Sequence, residues 1–145
     1  MKFPYLSYRI LPTPSLPGQT TIQRPVIPVR FTGPRRALNT YALLDTGADE
    51  TYITVAMAKW LGVSPISSET ARLESAVGEV SILYGVVLLE VENRSELFAR
   101  QITVGIVDEP WSEAILGHVG FLEYFHALFS FADQYVELTP RYTQR

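Results

Sequence analysis

The sequence predicts a single, mainly β domain, and three observations carry that expectation. Apolar residues gather in short runs bounded by turn residues, as in "VIPVRF", "SILYGVVLLEVE" and "LFARQITVGIV", and the alternation within them is that of half-buried strands. Helical spacing is confined to two short segments, "VAMAKWLG" and "HVGFLEYF". At 145 residues, 47% of them hydrophobic and 12% aromatic, the chain can bury one sizeable core and has no room for two.

Seven of the ten prolines fall in the first 34 residues, and proline withholds a backbone donor, so residues 1–24 read as an extended, proline-rich arm. From Val26, "VIPVRF" and "ALNTYALL" are two strands joined through "TGPRR" as a hairpin, the second strand delivering Asp45. "VAMAKWL" reads as a short helix with Thr54 as N-cap and Gly62 as its stop. The stretch "ETARLESAVGEVSILYGVVLLEVE" reads as a long hairpin with its tip at Ala76, Val77 and Gly78. Past the polar turn "ENRSE" come another strand, the acidic loop "DEPWSE", the short run "AILG", a short helix in "HVGFLEYF", and a final hairpin in "HALFSFADQYVELTP". The domain is expected over residues 25–139, with a tail at 140–145.

Composition excludes several classes of function. The net charge is −3 and no run of Lys or Arg occurs, so the electrostatic footprint for nucleic acid or an anionic membrane is missing. Without cysteine there can be no disulfide, Cys-ligated zinc or thiol catalysis. No G-x-S-x-G or H-E-x-x-H pattern occurs, and there are two histidines, which leaves serine-hydrolase and metalloenzyme readings without residues. No metal and no cofactor is expected. The N-terminus has no unbroken apolar stretch of a signal peptide, and no window approaches about 18 consecutive apolar residues; the expectation is a soluble, cytoplasmic protein.

The stretch with chemical content is "YALLDTGADETYIT", in which an apolar strand runs into Asp45-Thr46-Gly47. An Asx turn closing a strand would use the same residues, Asp accepting local N–H groups and Gly supplying a permissive backbone. The context adds more: Ala48 and Asp49 follow, and 70 residues past Gly47 "AILG" brings two bulky aliphatics before Gly117. This pairing, in order with "LESAVGEVSI" and "FLEYF", resembles the retropepsin-like aspartic proteases over roughly residues 25–139. It looks more like the cellular and bacterial members than the shorter viral enzymes.

The resemblance implies a single-lobe acid-protease fold of closed, bent β-sheets, with a flap hairpin and one or two short helices. It also implies roles. Asp45 would activate water, Thr46 would bridge two copies of the loop, and Gly47 would leave room for substrate backbone. Asp49 would anchor substrate amides, and Ala48 and Glu50 would line the cleft; a solvated turn would use the same acids. Ala76, Val77 and Gly78 would form the flap, or a plain surface hairpin. Trp111 and Ile115, near Pro110 and Glu113, would form a side wall, although a Trp serves as often in a core or interface. Viral members commonly carry Arg after the Gly of the second element, whereas here His118 follows Gly117; it either contacts Asp49 or starts a helix.

The chemistry itself asks for two carboxyls sharing one proton, one as base toward water and one as acid toward the amide. Of Asp45, Asp49, Asp108 and Asp133, only Asp45 precedes Thr-Gly, so the second carboxyl has to come from another copy. The expectation is a homodimeric endopeptidase acting on peptide or protein substrate. The competing one is a catalytically silent domain of this fold that dimerises and binds peptide, since fold does not fix function.

Overall fold

The computed structural model describes residues 1–67, 71–75 and 78–141. Their strands are β1 (Lys2–Pro4), β2 (Leu6–Arg9), β3 (Thr21–Arg24), β4 (Val26–Thr32), β5 (Ala37–Leu44), β6 (Tyr52–Thr54), β7 (Ala71–Ser75), β8 (Gly78–Glu92), β9 (Leu97–Val107), β10 (Ala114–Leu116), β11 (Phe125–Ser130) and β12 (Tyr135–Pro140). One helix, α1 (Val55–Leu61), and a single 3-10 turn at Leu122–Tyr124 complete the described elements. The chain is mainly β, as its sequence predicts.

The main sheet runs β4-β5-β10-β6-β9-β8-β7, and β4 also pairs with β8, so six of its strands close on themselves. Closure is local: β8 meets β4 only from Leu88 to Glu90, opposite Thr32 to Arg30. Beyond that point Pro28 has no N–H to offer β8 and lies on a free edge, as proline in a sheet must. Inside, Ile27, Phe31, Leu61, Leu89, Leu116, Phe121 and Leu138 are fully buried. Phe98 is the centre of an aromatic group, with ring centroids 5.9 Å from Phe121, 5.7 Å from Tyr124 and 4.8 Å from Phe125, and Phe121 lies 4.8 Å from Phe125.

Local chemistry explains the element ends. Thr54 Oγ1 accepts the Met57 N–H at 3.2 Å and starts α1, while Gly62 at φ 73° ends it with the Val63 N–H returning to Ala58 O at 2.9 Å. The turn between β8 and β9 is held by Asn93 Oδ1, which accepts the N–H groups of Ser95 and Glu96. In "HVGFLEYF" the expected short helix contracts to the 3-10 turn. Gly120 sits at φ 91°, outside the right-handed helical region, so the helical path can begin only after it.

The proline-rich arm is extended but not free. β1 pairs with β12, Phe3 opposite Val136, and Met1 and Phe3 are buried in the common core. β2 and β3 form their own ribbon, Tyr8 opposite Ile22, with Pro12, Pro14 and Pro17 in the connection where no ladder donor is needed. The long hairpin is present as β7 and β8, with Ser75 opposite Gly78. Ala76 and Val77 of its expected tip lie outside the described residues.

Because Phe121 is fully buried and packs against the Phe98 and Phe125 rings, Phe121→Ala is expected to cost about 3–5 kcal/mol in denaturant unfolding at fixed protein concentration. Leu11→Ala, at a site 85% exposed, is expected to stay within about 0.5 kcal/mol of the parent.

Candidate active site

β5 and β6 are consecutive in the chain but not neighbours in the sheet, because β10 lies between them. β10 runs parallel to β5, with Ala114, Ile115 and Leu116 opposite Ala42, Leu43 and Leu44, and its Ile115 pairs antiparallel with Tyr52 of β6. Residues 45–51 must therefore arch over the end of β10. The Asp45 N–H donates to Leu116 O at 3.1 Å, and Leu44 N–H donates to Pro25 O at 2.9 Å, which fixes the carboxylate at the end of a three-strand platform.

Asp45 is half-buried and its own loop turns back on it: Gly47 N–H donates to Asp45 Oδ1 at 2.8 Å, and Ala48 N–H to Asp45 O at 3.3 Å. The Asx turn considered from sequence is thus real, and it aims the carboxylate instead of competing with a chemical role. Thr46, Gly47 and Asp49 are exposed, Ala48 and Glu50 half-buried.

The arch is zipped to the segment after β10. His118 N–H donates to Ala48 O and Val119 N–H to Asp49 O, each at 2.9 Å, and Thr51 returns its N–H and its hydroxyl to Val119 O at 3.0 and 3.1 Å. This explains Gly117. A methyl group there would overlap the Glu50 carbonyl oxygen and stand 2.6 Å from that of Ala48. His118 takes part through its backbone; its ring is exposed and no hydrogen bond or ion pair joins it to Asp49 among the described residues. Its carbonyl accepts the Glu123 N–H at 3.0 Å, across Gly120 and ahead of the 3-10 turn, so it does not start a helix either.

Beneath the arch lies a small second core of Tyr52, Ile82 and Val107, with Ala48, Tyr84 and Ile115 packed against it. Ile115 therefore faces this cluster from β10. Glu50 reaches over it: its Oε2 accepts the Tyr84 hydroxyl at 2.8 Å and the Tyr52 hydroxyl at 3.5 Å. Burial first, then the Glu50 carboxylate, pushes both phenols up to about 12. Trp111, 36% exposed, stands in the loop before β10. The Glu113 carboxylate of that loop acts on Tyr8 of the β2–β3 ribbon: burial first, then Glu113, pushes the Tyr8 phenol up to about 12.

The structure thus gathers Asp45, Thr46, Gly47, Ala48, Asp49 and Glu50 on one arch, with Ile115 below it and Gly78 at the start of β8. Sequence reasoning missed Tyr8, Tyr52 and Tyr84, because a tyrosine within an apolar strand carries no mark of what its hydroxyl will meet.

The family model described as "gag-polyprotein putative aspartyl protease" matches residues 37–123, which include the arch, the long hairpin, β10 and Gly117. Among solved structures, a retropepsin-like aspartic protease from Rickettsia conorii is similar with a TM-score of 0.54 at 16% identity, over 90% of this chain and 98% of that one. The EIAV protease complexed with the inhibitor HBY-793 is similar at 22% identity with a TM-score of 0.49, over 66% of this chain and 82% of that one. No curated protein matches the sequence.

Gly117→Ala is expected to unfold the arch at a cost of roughly 3 kcal/mol or more, since backbone oxygens cannot swing aside as side chains do; denaturant unfolding measures it. Alkaline titration followed at 295 nm should show Tyr8, Tyr52 and Tyr84 ionising near 12, above the usual value of about 10. The folded state then holds protons that the unfolded chain releases, so this contribution to stability is complete below about pH 10 and is lost as pH rises toward 12.

Proposed function

Since the chain belongs to the gag-polyprotein aspartyl protease family, we propose that it is a homodimeric aspartic endopeptidase with one Asp45 from each copy. The observation that carries this reading is the setting of Asp45: a half-buried carboxylate held by the Gly47 N–H at 2.8 Å, with Thr46 and Gly47 exposed beside it where a second arch can meet the first. Two such carboxyls brought together across a two-fold axis repel unless one keeps a proton, so the pair holds one acid and one base. The ionised Asp45 takes a proton from water as the water oxygen attacks the peptide carbonyl carbon. The protonated Asp45 gives its proton to the carbonyl oxygen. The Asp45 that took the proton from water then gives it to the amide nitrogen while the other Asp45 takes a proton from a hydroxyl of the tetrahedral diol, so the C–N bond breaks, a carboxylic acid and an amine leave, and the pair again shares one proton.

In the same reading Thr46 bridges the two arches, Gly47 admits substrate backbone, and Asp49 and Glu50 flank it with Ala48. Gly78 and its neighbours cover it, and Trp111 with Ile115 forms a wall. Exposed apolar side chains supply a surface for the second copy. β11 is the edge of the three-stranded sheet β1-β12-β11, and while Val136 and Leu138 turn into the core of their own chain, Leu128 and Phe131 are 53% and 70% exposed. Val119, beside the arch, is 55% exposed. A two-fold axis makes such a surface self-complementary.

Asp45→Asn is expected to keep the fold and the dimer while lowering cleavage of a peptide library by at least about 10³-fold, because only the ionisable oxygen is lost. Peptide binding without cleavage by the parent protein would assign the silent-domain alternative instead. Mixed with parent chain in equal parts under subunit exchange, the variant should leave parental pairs as about one quarter of all dimers, and activity should fall accordingly. Activity proportional to parental chain, with an active monomer in sedimentation, would refute a shared site. Cleavage should be faster at acidic than at alkaline pH, since the pair loses its proton as pH rises; an optimum above about pH 8 would point to another base.

A further inference from the structure

β7 and β8 form a hairpin whose outer part bonds only to itself among the described residues. β7 pairs with β8 from Ala71 to Ser75 and with no other strand, and β8 joins the closed sheet at Ile82, opposite Val107. The hairpin is a lever, and the angle it makes with the arch is set at its root.

That root is Tyr84. Its backbone pairs with Gly105, its carbonyl accepts the Ile66 N–H at 2.8 Å, and its hydroxyl donates to Glu50 Oε2 at 2.8 Å. The next residue, Gly85, lies so close to Val63 that a methyl group on it would overlap the valine side chain. The ladder and the Ile66 bond hold β8 within the sheet. The hydroxyl does something different, because Glu50 belongs to the arch that carries Asp45, five residues along. Packing does not require that oxygen: phenylalanine would fill the same space against Tyr52, Ile82 and Val107. Glu50, for its part, has no cation within ion-pair distance among the described residues, so the phenols of Tyr84 and Tyr52 are the donors that satisfy it.

We propose that Tyr84 is a positioning residue of the site: through the Glu50 carboxylate it fastens the root of the β7–β8 hairpin to the arch bearing Asp45. This rests on the protease reading for its kinetic consequence, but not for its structural one. With the clamp in place, substrate meets a hairpin already held at the right angle over the arch; without it, substrate must supply that order as it binds, which weakens binding more than it slows chemistry.

The test compares the parent protein with Tyr84→Phe, Glu50→Ala and the double variant by amide exchange over residues 71–82, thermal unfolding and peptide cleavage. Tyr84→Phe should speed exchange across the hairpin by about tenfold, the loss of one hydrogen bond to a charged group, and leave the unfolding midpoint near that of the parent. It should raise KM by about tenfold and change kcat by no more than about twofold. The double variant should exchange no faster than Glu50→Ala, because both remove one link. Parental exchange rates in Tyr84→Phe would overturn the clamp whether or not the protein is a protease. Faster exchange with unchanged KM would overturn the positioning role. A parent protein that cleaves nothing would refute the protease reading while exchange still decides the clamp.

Discussion

The approach of two backbones at Gly117 is the contact on which the site depends. Ala48 and Asp49 accept the N–H groups of His118 and Val119, Thr51 donates its own N–H to Val119 O, and that exchange is possible only where no Cβ intervenes. It is why β10, three residues long, can sit between β5 and β6 with strands on both sides. It also decides where the Asp45 carboxylate points, since the Asp45 N–H is spent on Leu116 O. A short strand contributes little by its own burial; here its value lies in supplying a rigid backbone template for the loop above it.

Three acids crowd the arch, and the protein treats them differently. Asp45 is met by a backbone N–H from its own turn, Glu50 by two phenols, and Asp49 is left in solvent. Backbone donors are fixed by the chain path, whereas side-chain donors bring a link to wherever their strand runs. The choice of tyrosine at positions 52 and 84 therefore does more than neutralise cost: it connects β6 and β8 to the loop that carries Asp45.

Much of this architecture was legible in the sequence where one residue type has one strong local use. Thr54 and Gly62 bounded α1, alternation marked β8 and β9, and Asp-Thr-Gly after an apolar strand marked the arch. What stayed hidden was non-local. Nothing in "KFP" announces that Phe3 will pair across the whole chain with Val136, because proline density dominates the local signal. β10 was recognisable only as "AILG", with no hint of its neighbours, since three residues are too few to show a period. The glycine in "HVGFLEYF" carried its positive φ unseen, and a helix was read where the backbone makes one 3-10 turn. The Glu50 partners were unreadable for a simpler reason: a hydroxyl's acceptor depends on which strands lie side by side, which is decided by the fold and not by the strand.

The pairing of β1 with β12 has a bearing on how the molecule comes into being. Met1 and Phe3 enter the same core as Val136 and Leu138, so β1 waits for β12. During synthesis β1 has no strand partner until residues 135–140 leave the ribosome, and contacts of such sequence separation form late because loop closure opposes them. Up to that moment the core is open at one end and β11 has only a hairpin mate to come. The core of the domain is therefore closed only after β12 has been translated.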